Sequence, residues 1–495
     1  MEGDELPAGW ALATLAQLGQ WTSGGTPSKK RPDYHNGHIP WVLTGDLDDG
    51  AVKDVPNGIT DAGLKNSSAK IFPPGTLLMA MYGATIGKLG VLQREAATNQ
   101  ACAALLPSEA NNQALPYVYF YLLSKREQFK KAGKGGAQPN ISQGVIKDTA
   151  IPVAPLPEQQ RIVEKIETLF AELDKGEEAL REVQKLLARY RQSVLKAAVT
   201  GTLTADWRAA NGPPGETGQD LLNRILETRR TTWQGRGKYK EPVEPETDGL
   251  PELPEGWVWA SVDQLSSSKP NALCIGPFGS NLRVEDYRDE GVPLIFVRHI
   301  RANDFTGQEP KFVSPEKAHE LSSHRAFPGD LLVTKMGDPP GDVAIYPYDA
   351  PTAIITADCI RFALSEDGLS KSFIIRAIQS RLVQAQIGKI SKGVAQQKVT
   401  LANFKKVAIP LPPSGEQNEI AELADVEMDR IERAGEMASV ELRRGAALRQ
   451  SILKDAFSGK LVPQDPSDET AEKLLDRIRA ARAEKPKAKR KKAVA

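Results

Sequence analysis

Cysteine is scarce. Cys102, Cys274 and Cys359 are scattered and odd in number, which argues against a disulfide framework and for a reducing, cytoplasmic setting. No apolar run approaches the roughly 18 residues of a membrane-spanning helix. The opening MEGDELPAGW lacks the basic-then-apolar pattern of a secretory signal. Neither sign of charge prevails: 64 Lys and Arg face 63 Asp and Glu. The whole chain therefore offers no global field to attract nucleic acid, and only local basic patches can do so. Histidine is also sparse, and the close pair His35 and His38 has no cysteine or further histidine beside it, which argues against a zinc set.

Catalytic motifs are missing too. GATIGKLG (Gly83–Gly90) has neither the four-residue gap between glycines nor the Ser or Thr after Lys88 that a phosphate loop needs. GDPPGD (Gly337–Asp342) resembles the Asp-Pro-Pro-aromatic loop of amino-methyltransferases, but Gly341 stands where the stacking aromatic belongs. The chain reads as a binder, with no cofactor of its own.

What the sequence does contain is a copy of itself. RQSVLKAAVTGTL (Arg191–Leu203) returns as RQSILKDAFSGKL (Arg449–Leu461), identical at eight of thirteen positions. LPAGWALATLAQL (Leu6–Leu18) returns as LPEGWVWASVDQL (Leu253–Leu265), and PGTLLMAMYG (Pro74–Gly83) as PGDLLVTKMG (Pro328–Gly337). AIPVAPLPEQQRI (Ala150–Ile162) returns as AIPLPPSGEQNEI (Ala408–Ile420), and ETGQDLLNRI (Glu216–Ile225) as ETAEKLLDRI (Glu469–Ile478). A period this long is a duplicated domain rather than a solenoid. It predicts a pseudo-two-fold molecule suited to two copies of one partner or to a two-part target.

Each half has the same order. Short strand-like runs with Gly and Pro punctuation predict a mixed α/β globular segment at 1–150 and again at 253–408. Pro157 and Ser414 are placed to start a long helix, which a glycine cap should end near Gly201 or Gly459. These helices occupy 151–201 and 409–461. Ile162, Ile166, Leu169, Leu173, Leu180, Val183, Leu187, Tyr190, Val194 and Ala197 form a seam of 3, 4 and 7 spacings, the signature of a coiled coil. From Glu158 to Thr200 such a helix is about 65 Å long. The second, Glu416 to Ser458, carries a looser seam with Gly435 and Gly445. The economical partner of each helix is the other, although pattern alone also allows a generic spacer or a dimerisation coil. Segment 202–252 holds a short helix and a linker rich in Pro and charge, GRGKYKEPVEPETDGLPELP. Segment 462–495 holds a short helix and the basic tail KPKAKRKK (Lys485–Lys492), either a solvated tail or a sequence-blind phosphate contact.

The order of these blocks, met twice, resembles the specificity subunit of type I restriction–modification systems. WTSGGTPSKKRPDYHNGHIPWVLTGDL (Trp21–Leu47) and GPFGSNLRVEDYRDEGVPLIFVRHI (Gly276–Ile300) are similar to the opening of its target-recognition domain. PGTLLMAMYGATIGKLGVLQREAATNQACAAL (Pro74–Leu105) is similar to that domain's central segment, and IPVAPLPEQQRIVEKIETL (Ile151–Leu169) to the entry of its spacer helix. The second copy departs with GDPPGDVAI where the first has GATIGKLGV. The resemblance implies an α+β fold. Two α/β target-recognition domains would be separated by two long antiparallel coiled-coil helices, with an internal pseudo-two-fold repeat. It implies that the domains bind the halves of a bipartite double-stranded DNA target; the residues' own pattern agrees, since two similar readers on one rigid rod would meet grooves about one helical turn, ~34–36 Å, apart. It implies two adenine-methylating modification subunits docked on the helices, and motor/nuclease subunits beside them. S-adenosylmethionine, ATP and Mg would sit on those partners, and this chain would be a non-catalytic recognition subunit. The alternatives are a scaffold with duplicated protein-binding domains and no DNA, or an enzyme acting alone, which the missing motifs oppose.

Arg, Lys, Asn and Gln reach phosphates and base edges. In the first domain the candidates for DNA contact are Lys29, Lys30 and Arg31, then Tyr82 and Lys88, then Lys130, Lys131 and Lys134. In the second they are Arg298, His299 and Arg301, with Lys335, Gln397 and Lys398. The candidates for subunit docking come from the repeated helix ends: Gln159, Arg191, Gln192 and Lys196 on the first helix, and Gln417, Arg449, Gln450 and Lys454 on the second.

Overall fold

The computed structural model describes residues 6–134, 139–233, 238–307, 309–393 and 397–483. The basic run Lys485–Lys492 lies outside them. No helix among the described residues is long and apolar enough to cross a membrane. Two compact units are present: Met1–Leu180 with Ser439–Ala495, and Arg181–Ala438.

In the first unit a five-stranded sheet has the order Trp21–Ser23, Cys102–Leu105, Leu77–Ala80, Leu89–Leu92, Gly50–Val52. A four-stranded sheet has the order Gly58–Ile59, His35–Val42, Ala96–Thr98, Ile71–Phe72. The central strands LLMA and CAAL are buried at every position. They therefore read as continuous apolar runs instead of alternating ones. Ala11–Thr14 pairs antiparallel with Ala150–Val153, which ties the start of the globular segment to its end. The aromatic stretch YVYFYLL lies in the helix Leu115–Ser124. Its Tyr117 and Tyr121 each meet Phe457 edge-on at 5.0 Å. Leu474, Leu475 and Ile478 of the helix Ala471–Ala483 enter the same core. The last described stretch of the chain thus completes the unit that the first stretch begins.

The second unit repeats this plan. One sheet has the order Leu273–Ile275, Cys359–Phe362, Leu331–Thr334, Val343–Ile345, and the other Phe312–Val313, Val292–Ile295, Ala353–Ile355, Arg325–Ala326. The edge strand Gly50–Val52 has no counterpart among the described residues. Val258–Ser261 pairs with Ala408–Leu411 as the closing ribbon. The helix Gly218–Thr231 fills the core with Leu221, Leu222 and Ile225. One core feature is peculiar to this unit. Arg361 is buried against Asp330, with Nε 2.5 Å from Oδ2, and lies over the ring of Phe327. Asp330 stands where the first repeat has Thr76. The described part of the Pro-rich linker is not free. The Val243 N–H donates to Asp263, Val243 O accepts from Ser261, and Glu246 pairs with Lys406 at 2.8 Å. Polar side chains of the second unit thus take up backbone groups that the composition alone assigns to solvent.

The two long helices run over Leu156–Val199 and Ser414–Phe457, 44 residues each. The expected glycine caps follow, Gly201 at φ +73° and Gly459 at φ +71°. A Cβ at Gly201 would run into Pro254, and one at Gly459 into Pro7, so both backbone conformation and space require glycine there. The helices pair antiparallel within each unit. In the first, Ile162 and Ile166 share a core with Ile452, Leu453 and Ala456. In the second, Val194 and Leu195 pack on Ala424, Met428 and Ile431. The seam is not buried along its whole length, however: Val183 is 41% exposed and Tyr190 47%. Polar pairs hold the intervening stretch. In the first unit Arg449 binds Asp174 at 2.6 Å and Glu177 at 3.2 Å and lies over the ring of Phe170. In the second, Tyr190 Oη donates to Glu427 at 3.0 Å.

The repeated Gly-Trp and Glu-Gln motifs meet at the root of each long helix. In the first unit the buried carboxylate of Glu158 accepts the Trp10 indole N–H at 3.0 Å and the Gln464 amide at 3.3 Å. In the second, Glu416 accepts from the Trp257 indole at 2.8 Å, from the Thr204 hydroxyl at 2.6 Å and from Arg208. Gln464 also caps Gly459 O, as Arg208 caps Gly201 O. The same joint is therefore built with a neutral amide in one unit and a cation in the other. Burial pushes the Glu158 carboxyl above its ordinary pKa, against the hydrogen bonds from Gln464 and Trp10. A carboxyl raised in this way favours the fold most below its unfolded pKa of about 4.3. That contribution is lost as pH rises through the higher folded value. Glu158→Gln is therefore expected to leave stability near pH 7 unchanged or higher. Glu416→Gln, which strips Arg208 of its charge partner, is expected to cost about 2–3 kcal/mol. Unfolding of the full-length variants between pH 5 and 8 measures both, and equal losses in the two would rule out the asymmetry.

Candidate nucleic-acid interface

In each unit the central strand carries its apolar run to one end of the sheet and there turns polar. In the first unit, Leu77–Ala80 is followed by Met81, Tyr82 and Gly83. Tyr82 bridges to Asn140, and Asn140 to Lys134. Tyr82 is 44% exposed. Lys88 follows the next turn and lies 3.6 Å from Asp48. Lys130 and Lys131 are exposed on the helix Arg126–Ala132 that leads to Lys134, with Lys130 bonded to Glu127. These residues gather around one strand end. Lys29, Lys30 and Arg31 are exposed on the separate loop before His35–Val42. Arg31 there pairs with Asp33 at 2.8 Å and lies over Tyr34.

The second unit builds the same end with other side chains. Leu331–Thr334 is followed by Lys335 and by Met336–Gly337, which pairs with Gln397–Lys398. Lys392 bridges to Lys398 as Lys134 does to Asn140. The Lys335 ammonium donates to Ala357 O at 3.0 Å and lies 5.0 Å from the centroid of the Phe278 ring. Burial lowers its pKa below the ordinary lysine value, and Lys398 adds to the effect against the pull of Asp358. Arg301 joins the cluster through Asp342, at 2.9 Å. Arg298 does not. Its guanidinium lies over Phe296 and donates to Glu309 O at 2.7 Å. His299 is a correction to the sequence expectation. It is buried, its Nδ1 accepts the Phe296 N–H, and burial lowers its pKa. It closes the start of the helix Val297–Ala302 and presents no donor to DNA.

The docking candidates divide in the same way. Gln159 and Gln417 are buried, and each amide donates to a carbonyl at its own strand-to-helix corner, Ala154 O at 2.7 Å and Pro412 O at 2.9 Å. They brace the corner and present no surface. Arg449 is spent within the helix pair. Arg191 is half-buried, its pKa lowered by burial and by the neighbouring Arg376. Gln192 and Lys196, four residues apart and so on one helix face, line a cleft of about 600 Å³ in the second unit. Leu250 and Leu382 also line it, and Arg189, Arg381 and Lys389 bring further positive charge. Gln450 and Lys454 hold the matching face of the second helix and are exposed. Sequence reasoning missed Phe278, Glu158 and Glu416. The last two carried a signal, the Gly-Trp and Glu-Gln pairs that recur in step.

The profile of the type I restriction modification DNA specificity domain matches residues 7–182 and 295–441. The chain is 28% identical over 352 residues to the EcoBI specificity subunit of Escherichia coli, covering 70% of this chain and 67% of that protein. It is 24% identical over 501 residues to the EcoKI specificity subunit of Escherichia coli strain K12, covering 98% and 97%. A solved chain described under complex assembly and conformational transition of the type I R-M system covers 93% of this chain and all of its own, at a TM-score of 0.63 and 17% identity, a likeness of fold. The chain belongs to the type I restriction modification DNA specificity family and carries two segments of that domain in one polypeptide.

Proposed function

We propose that the two units read the two halves of a bipartite DNA target on behalf of a type I restriction–modification complex. The observation that carries this reading is the pair of equivalent strand ends. The elements match: Leu77–Ala80 leads to Tyr82, bridged to Asn140 and through it to Lys134, and Leu331–Thr334 leads to Met336, paired with Lys398 and through it to Lys392, while the exposed side chains differ. Similar frames with different side chains are what two readers of different bases require. The adjoining lysines supply phosphate contacts, which position without specifying. The chemistry belongs to partners: modification subunits with S-adenosylmethionine, and motor/nuclease subunits with ATP and Mg. Exchange of residues 1–150 for the matching segment of another family member is expected to change one half of the methylated sequence and leave the other. Methylation mapping in a host carrying the chimaera reads the result, and a change in both halves or in neither would refute the assignment.

Phosphate contacts also predict a salt response. Lys134→Ala and Lys398→Ala should each weaken binding to all sequences alike and lower the salt slope of log K by about one unit. Affinity measured across a salt series decides this, and an unchanged slope for either variant would remove that lysine from the interface.

The faces formed by Gln192 with Lys196 and by Gln450 with Lys454 are proposed as the docking sites for two modification subunits. Native mass measurement of the reconstituted complex should give two such subunits per chain. Lys196→Glu, which reverses a charge at the basic cleft, should leave one. A saturated ratio of one to one in the unaltered complex would be incompatible with duplicated docking.

A further inference from the structure

Phe278 is the odd residue of the second unit's candidate interface. Its side chain is 63% exposed, and none of the buried core clusters among the described residues includes it. It is nevertheless held in place. Gly276 and Pro277 before it are buried. Gly276 lies so close to the Thr356 carbonyl that a Cβ has no room, which fixes the root of the loop against the sheet. Gly279 after it takes φ +50° and opens a tight turn. The loop therefore presents the ring outward from a rigid base, beside Lys335 and, through Lys335, beside Lys398. An exposed aromatic beside a lysine, outside the buried core clusters of the described residues, has the makeup of a recognition contact and not of a core residue.

The first unit carries a different residue at this place. Two residues beyond the matching glycine, Gly24, the chain has Thr26, whose hydroxyl is bonded to Gln100. One reader thus carries a polar pair at this position and the other an aromatic ring. Two uses of such a ring on DNA are known in physical terms: a wedge between base pairs, which needs both faces free, and an apolar contact with the thymine C5-methyl group in the major groove. Lys335 covers one face of Phe278 at 5.0 Å, which leaves the edge and the other face. Resting on the reading of the second unit as a DNA reader, we infer that Phe278 is a specificity-determining residue that contacts the C5-methyl group of a thymine in that unit's half of the target.

The test replaces atoms on both sides. The target is first selected from randomised duplex DNA on the full chain assembled with its modification subunits. Each thymine in the half assigned to the second unit, identified as the half that survives exchange of residues 1–150, is then replaced singly by deoxyuridine, which removes only the methyl group. One such replacement is expected to weaken binding of the unaltered protein by about fourfold, the worth of one buried methyl-sized group. Phe278→Ala should bind the thymine probe as weakly as the unaltered protein binds that deoxyuridine probe, and should be indifferent to the replacement. Phe278→Leu, which keeps an apolar contact, should retain sensitivity to the methyl. Because the side chain lies outside the core, the thermal midpoints of both variants should match that of the unaltered protein. The inference is overturned if every deoxyuridine probe binds as tightly as its parent, or if that half contains no thymine. It is also overturned if Phe278→Ala weakens binding while remaining sensitive to the methyl, the pattern of a wedge or of a purely structural residue. A chain that selects no sequence at all would sink the DNA-reading function itself, a different result from a selected target whose methyl groups do not matter.

Discussion

A buried carboxylate at the root of each long helix holds together stretches of chain far apart in sequence. Glu158 gathers the start of the first reader through Trp10 and the tail of the second repeat through Gln464. Glu416 gathers Trp257, Thr204 and Arg208 in the same manner. A carboxylate is costly to bury and must be surrounded by donors. Because the donors come from separate segments, each joint closes only when those segments have come together. The closing ribbons, the glycine caps against Pro7 and Pro254, and the helices Gly218–Thr231 and Ala471–Ala483 all lie within reach of these joints.

Much of this architecture is legible in the sequence. The repeat announces two equivalent units. Gly201 and Gly459 mark helix ends, since the left-handed cap is local and glycine satisfies it best. The regrouping of segments is not legible. Two nearly identical helix ends could each close either unit, and only the pairing of Gly459 with Pro7 and of Gly201 with Pro254 decides which. Residue type also misleads where burial is set by tertiary packing. His299 looks like a ligand among arginines but lies inside the fold. Gln159 and Gln417 look like repeated docking groups but brace a corner. Arg449 matches Arg191 in the repeat, yet it is ion-paired while Arg191 lies near another arginine. Phe278 carried no periodicity or charge to mark it.

The two candidate interfaces differ most where their frames agree best. Lys335 stands in the place of Met81, and Met336 in that of Tyr82, on matching strands. Deeper in the sheet, the Arg361–Asp330 pair of the second unit replaces small and neutral side chains of the first. Divergence thus reaches below the surface.

The regrouping of segments has a consequence for the newborn protein. Folding on the ribosome ordinarily proceeds from the N-terminus, one domain at a time. Here the second unit, Arg181–Ala438, holds all of its own parts before the last stretch is made, whereas the first unit waits for Ser439–Ala495. At ~5–20 residues per second, translation of the intervening second unit imposes a delay of some tens of seconds. During that time Tyr117 and Tyr121 lack Phe457, and the site of Leu474 and Ile478 is vacant. The domain synthesised first is therefore the one completed last, and its apolar flank stays uncovered until the helix Ala471–Ala483 arrives.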